Sequence, residues 1–118
     1  MIQNAANSGV GMAVIQIAHS LGLNTVNVVR SRPNQDELAR ELKSRGATVV
    51  ITEEELAATP KIIQLFKDSK WDMPKLALNA VGGKNATDLA RLLRYVPEKS
   101  TNLTKQKIFL LLLFFFLL

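Results

Sequence analysis

Apolar and polar positions along this chain fall into short blocks whose period switches between two and about 3.6. Ile2-Gln3-Asn4-Ala5-Ala6 opens as a short extended segment, and Asn7-Ser8-Gly9-Val10-Gly11 follows as a turn of small residues. From Val10 the spacing becomes helical. Val10, Val14, Ile17, Ala18 and Leu21 share one face, which is expected to be the buried one, and Gly22 supplies a left-handed cap. Thr25-Val26-Asn27-Val28-Val29 is a β-branched run between polar residues and predicts a buried second strand. Pro33 breaks it, Asn34 offers a cap, and the spacing over 35–45 predicts a helix that buries Leu38 and Leu42.

Gly46 closes that helix, and Ala47 to Ile51 predicts a third strand. Thr52-Glu53-Glu54-Glu55 has the spacing of a capping box, with Glu55 reaching back to the cap; acids at a helix start are accounted for by the helix dipole without a bound cation. Pro60 opens a helix to about Lys70 with Ile62, Ile63 and Phe66 inward, and Trp71-Asp72-Met73-Pro74 turns the chain. Leu76 to Val81 predicts a fourth strand, and Gly82-Gly83 leads into a helix over 84–93. This alternation, about four strands and four helices, predicts an α/β fold: a partial Rossmann, doubly wound parallel sheet. Residues 1–94 form that domain. Residues 95–118 read as an unrelated C-terminal tail with an apolar end, Ile108 to Leu118. As a helix this run rises about 16 Å against about 30 Å of bilayer core, so no transmembrane span is expected.

Composition narrows the chemistry. A chain of 118 residues fits one domain. It has no cysteine and one histidine, His19, which excludes a disulfide scaffold and a Cys/His zinc cluster; His19, well inside the first helix, is expected to be structural. The net charge is +5, but the basic residues are interleaved with acids, as in Arg40-Glu41-Leu42-Lys43, without an aromatic platform, so no nucleic acid is expected. Met1 runs directly into the first strand, so no targeting presequence is read.

Candidate chemistry sits at two turns. A helix start leaves backbone N–H groups without partners and carries partial positive charge, so Asn7, Ser8, Gly9 and Val10 are placed to receive a diphosphate, with Gly9 and Gly11 permitting close approach. About twenty positions past the glycines of such a fold, a carboxylate selects the ribose 2′-hydroxyl and an arginine the 2′-phosphate. Arg30-Ser31-Arg32 stands there, and no acid precedes Asp36. The implied cofactor is NADPH. Asn79, Gly82 and Gly83, at the end of the fourth strand, are placed to approach it, although a plain tight turn explains them nearly as well.

Ile2-Gln3-Asn4-Ala5-Ala6-Asn7-Ser8-Gly9-Val10-Gly11, Asn27-Val28-Val29-Arg30-Ser31-Arg32-Pro33, Val50-Ile51-Thr52-Glu53-Glu54-Glu55-Leu56 and Leu76-Ala77-Leu78-Asn79-Ala80-Val81-Gly82-Gly83 together resemble the cofactor domain of the mitochondrial trans-2-enoyl-CoA reductases, in the medium-chain dehydrogenase/reductase superfamily. The resemblance covers Ile2 to about Leu93. It implies that Asn7, Ser8, Gly9 and Val10 contact the NADPH phosphates and that Arg30, Ser31 and Arg32 hold the 2′-phosphate. That family reduces 2-enoyl thioesters of CoA or acyl carrier protein in mitochondrial fatty acid synthesis, as a homodimer, with hydride from NADPH and a proton from a tyrosine of an amino-terminal domain. Tyr95 does not match that tyrosine, and no catalytic residue or metal ligand is assigned in this chain. The expectation is a truncated cofactor domain inactive alone. The alternative is a non-catalytic fragment that pairs with a full-length reductase subunit.

Overall fold

The structure, a computed structural model, describes residues 1–94 and the backbone of 109–112. In order, these are β1 (Ile2–Gln3), α1 (Gly9–Ser20), β2 (Val26–Val29), α2 (Gln35–Ser44), β3 (Val49–Thr52), α3 (Glu53–Ala57), α4 (Thr59–Asp68), β4 (Leu76–Asn79), α5 (Gly83–Arg94) and β5 (Phe109–Leu112). All pairings are parallel and the strand order is β3-β2-β1-β4-β5. The order reverses between β1 and β4, as the doubly wound reading requires.

Each face of the sheet has its own core. Ile2, Val26, Val28, Ile51 and Ala77 meet Leu56, Ile62, Phe66, Leu89, Leu92 and Leu93 from α3, α4 and α5. On the other face Val29 meets Ile15, Leu38, Leu42 and Ala47, from α1, α2 and the turn after it. Trp71 closes the first core edge-on against Phe66, with ring centroids 5.8 Å apart.

β1 is short, but its ladder continues past it: Asn4 N–H donates to Leu78 O and Ala6 N–H to Val28 O, both at 3.2 Å. Buried side chains reinforce it. Gln3 Nε2 donates to Asn27 Oδ1 at 2.9 Å and to Gly11 O at 3.0 Å, and Asn27 Nδ2 donates to Thr25 Oγ1 and Val49 O. This line of amides ties α1, β1, β2 and β3 together without leaving the named donors unpaired.

Three features differ from the sequence reading. The buried face of α1 is Gly11, Ile15 and Ala18, whereas Val10, Ile17 and Leu21 are 40%, 60% and 67% exposed. Apolar residues lie all around this helix, so spacing admits two stripes. Contact decides: a Cβ at Gly11 would lie 2.5 Å from Ala6 O and 2.6 Å from Ala5 O, so only the face bearing glycine can lie this close to the turn. Asn34 sits at the N-cap of α2 without a side-chain cap bond; Asp36 and Glu37 occupy the first turn, where they favour the dipole. The segment after β3 forms a helix of its own, α3, capped by Thr52, ahead of α4 with Pro60 in its first turn.

The apolar end of the tail contributes β5, paired in parallel with β4 from Leu76↔Phe109 to Asn79↔Leu112. A continuous apolar run suits a parallel strand, which is normally covered on both faces. Residues 95–108 and 113–118, including Tyr95, lie outside the described residues. Among the described residues no helix is long and apolar enough to cross a membrane. His19 packs against Gly46, where a Cβ would lie 2.6 Å from its Cβ and Cγ.

Two substitutions test this packing in urea unfolding. Leu42→Ala, at a position with no exposed surface, is expected to cost about 2–5 kcal/mol through its cavity. Gly11→Ala is expected to cost about 1–3 kcal/mol by pushing α1 off the turn, whereas Gly9→Ala, whose added methyl would have nothing within 4 Å, should stay within about 0.5 kcal/mol of the parent.

Candidate dinucleotide crevice

In a sheet of this order the carboxyl ends of the strands flank a crevice at the switch point. Such a crevice, about 360 Å³, is lined by Ala5 and Asn7 after β1, Arg30 and Arg32 after β2, Glu53 after β3, and Ala80 and Val81 after β4. Every strand from β1 to β4 thus delivers a residue to one place.

Ala5 starts the first turn with φ of +47°, a left-handed conformation that L-residues rarely adopt, and Ser8 N–H donates to Ala5 O at 3.0 Å. Ser8 is the N-cap of α1: its Oγ accepts from Gly11 N–H at 3.1 Å. Its hydroxyl proton remains available, and the N–H groups of Gly9 and Val10, in the first turn, have no intrahelical acceptor. Nothing approaches within 4 Å of the space a Gly9 Cβ would occupy, so the backbone here is open to a ligand.

The second turn carries two guanidiniums in different settings. Arg30 is 77% exposed, and its Nε lies 3.9 Å from Glu53 Oε1, a loose ion pair. Arg32 is half-buried, and its Nε is shielded from solvent without a hydrogen-bond partner. A buried donor without an acceptor is costly, and this one belongs to a residue of the crevice wall. Ser31 is exposed between them.

The β4 end is organised by amides. Asn4 Nδ2 donates to Asn79 Oδ1 at 2.7 Å, and Asn4 Oδ1 accepts from Ala80 N–H at 2.7 Å. The same Asn79 oxygen accepts from Val81 N–H at 3.3 Å and Gly82 N–H at 3.0 Å. The Asn79 oxygen therefore shapes the loop that walls the crevice.

The structure brings Asn7, Arg30 and Arg32 into the crevice wall. It places Ser8, Gly9 and Val10 on the exposed start of α1, and Ser31 outside the lining. Glu53 reads from sequence only as a helix-start acid. The signal that finds it is its position directly after β3, at a carboxyl strand end. Among the described residues there is no group of three or more His, Cys, Asp or Glu side chains arranged for a metal ion.

Replacing Asn79 by alanine strands the Asn4 amide and two loop N–H groups; the expected loss is about 2–4 kcal/mol in thermal or urea unfolding, with the β4 loop amides losing hydrogen-exchange protection first.

No protein-family profile matches the chain. It is 59% identical over 93 residues to the human mitochondrial enoyl-[acyl-carrier-protein] reductase, covering 79% of this chain and 24% of that one. The Yarrowia lipolytica protein of the same name is 50% identical over 92 residues, covering 78% and 24%. Among solved structures, the mitochondrial 2-enoyl thioester reductase heterodimer Etr1p/Etr2p from Candida tropicalis superposes with a TM-score of 0.71 at 45% identity, over 78% of this chain and 26% of that one. A structure of Etr1p with NADP and crotonyl-CoA gives the same values. The chain spans about a quarter of the length of these relatives. Over this quarter of their length, the chain is similar in sequence and fold to the mitochondrial enoyl-[acyl-carrier-protein] reductases.

Proposed function

We propose that this chain is the NADPH-holding part of a reductase of trans-2-enoyl thioesters, carried on CoA or acyl carrier protein, in mitochondrial fatty acid synthesis. The carrying observation is the pair Arg30 and Arg32 at the end of β2, with a shielded Arg32 Nε lacking an acceptor on the wall of the crevice. A 2′-phosphate offers acceptors to both guanidiniums, and arginine matches phosphate geometry with parallel N–H groups. The open first turn of α1 suits the diphosphate: Gly9 and Val10 N–H groups donate, Ser8 and Asn7 add side-chain polarity, and the helix dipole favours negative charge. Ala80, held by Asn4, and Val81, held by Asn79, close the far wall.

When bound, a nicotinamide supplies the hydride for reduction of a conjugated double bond. The chain's own contribution is to bind and orient. General acid catalysis, worth about 10² to 10⁴ in rate, belongs to a proton donor outside it, and positioning of donor against acceptor needs the opposite wall of the cleft. Alone, the chain holds the cofactor and does not turn it over. The relatives' mitochondrial names and the dimeric thioester reductase from Candida support mitochondrial residence and a paired parent protein.

Binding and turnover test the two halves of this reading. Titration should give NADPH an affinity about ten- to a hundredfold above that of NADH, the worth of one charge-assisted hydrogen bond of about 1.5–3 kcal/mol. The double substitution Arg30→Glu, Arg32→Glu should abolish that difference, and unchanged preference would overturn the reading. Purified chain mixed with NADPH and crotonyl-CoA should show no oxidation above background at 340 nm; turnover at the rate of a full-length reductase would refute the non-catalytic assignment.

A further inference from the structure

The three acids that open α3 have separate fates. Glu55 belongs to the cap: its N–H donates to Thr52 Oγ1 at 3.2 Å, and the hydroxyl donates to its Oε1 at 3.3 Å. Glu54 is exposed and borders a neighbouring cleft with Lys84 and Asn85. Glu53 takes no part in the cap. It lines the dinucleotide crevice beside Arg30 and Arg32, with its side chain 30% exposed and its carboxylate 3.9 Å from Arg30 Nε.

At 3.9 Å the contact is electrostatic rather than a hydrogen bond, so it leaves the donors of Arg30 free. Its charge still acts on whatever enters. An anion placed beside the two arginines meets a carboxylate of its own sign across a partly shielded space, and that carboxylate also offsets the field of Arg30. The acid sits after β3 rather than after β2, so it opposes a phosphate without replacing it by a ribose contact on the β2 end.

We infer that Glu53 is a specificity-determining residue of the crevice: its charge weakens the hold on a phosphate monoester next to Arg30 and Arg32, and so limits the discrimination between phosphorylated and unphosphorylated adenosine ribose. The inference rests on the cofactor reading above. It makes the strength of that discrimination a balance of two guanidiniums against one carboxylate. Because the opposing contribution is a charge–charge interaction at a partly exposed site, it is screened by salt.

The probes are 2′,5′-ADP and 5′-AMP, titrated calorimetrically against the full chain, Glu53→Gln and Glu54→Gln. Glutamine keeps the shape of the side chain, and Thr52 with Glu55 keeps the cap. At low ionic strength Glu53→Gln is expected to bind 2′,5′-ADP about three- to tenfold tighter than the parent, with 5′-AMP changed less than about twofold. At about 1 M salt, where the screening length falls to about 3 Å, the gain should largely vanish. Glu54→Gln should match the parent for both probes. An unchanged ratio of the two affinities in Glu53→Gln overturns the inference, as does an equal gain in Glu54→Gln, which would assign the effect to net charge. A parent chain that prefers 2′,5′-ADP to 5′-AMP upholds the cofactor reading in either case. One that binds both alike overturns that reading and the inference with it.

Discussion

The approach of α1 to the end of β1 governs the rest of the molecule. A Cβ at Gly11 would sit 2.5–2.6 Å from the carbonyl oxygens of Ala6 and Ala5, so the first helical turn rests directly on the backbone it follows. That contact fixes which stripe of an all-round apolar helix enters the core, and it brings Gly11 O within reach of the buried Gln3 amide. It also sets the height of the helix start above the sheet. Ser8 caps the helix there, while Gly9 stays open. Packing at one glycine and access at the other, two positions apart, are one geometric arrangement seen from two sides.

The central strand has only two residues in regular pairing, and a strand that short does not hold a sheet by its own ladder. Side-chain amides extend it in both directions. Gln3 reaches across to Asn27 on the α1 side, and Asn4 reaches across to Asn79 at the crevice. Buried amides are stabilising only when satisfied. Here the bonds run from β1 to its two neighbours, so the same network that closes the sheet also defines the floor and far wall of the crevice.

Charge at the crevice is mixed. Two guanidiniums, one exposed and one with a shielded donor, meet a carboxylate delivered by the next strand. The mixture arises from topology: parallel strands end on the same side, so the residues that follow β2 and β3 become neighbours although they are far apart in the chain. The field in the crevice is then a sum over several strand ends rather than the property of one position.

The sequence by itself determined the α/β alternation, the buried character of β2, the inward faces of α2 and α4, the capping of α3 by Thr52 and the separation of the small-residue turn from Arg30 and Arg32. Each of these depends on period, β-branching or cap chemistry, which act within a few residues. Tertiary structure decided the rest. It chose Gly11, Ile15 and Ala18 over Val10, Ile17 and Leu21, because backbone approach outweighs hydrophobic spacing when both stripes are apolar. It turned Asn79 toward Asn4 and its own loop, recruited Phe109–Leu112 as a parallel strand beside β4, and set Glu53 opposite Arg30. Those outcomes join residues that no local pattern relates, since only the winding of the sheet brings their strand ends together.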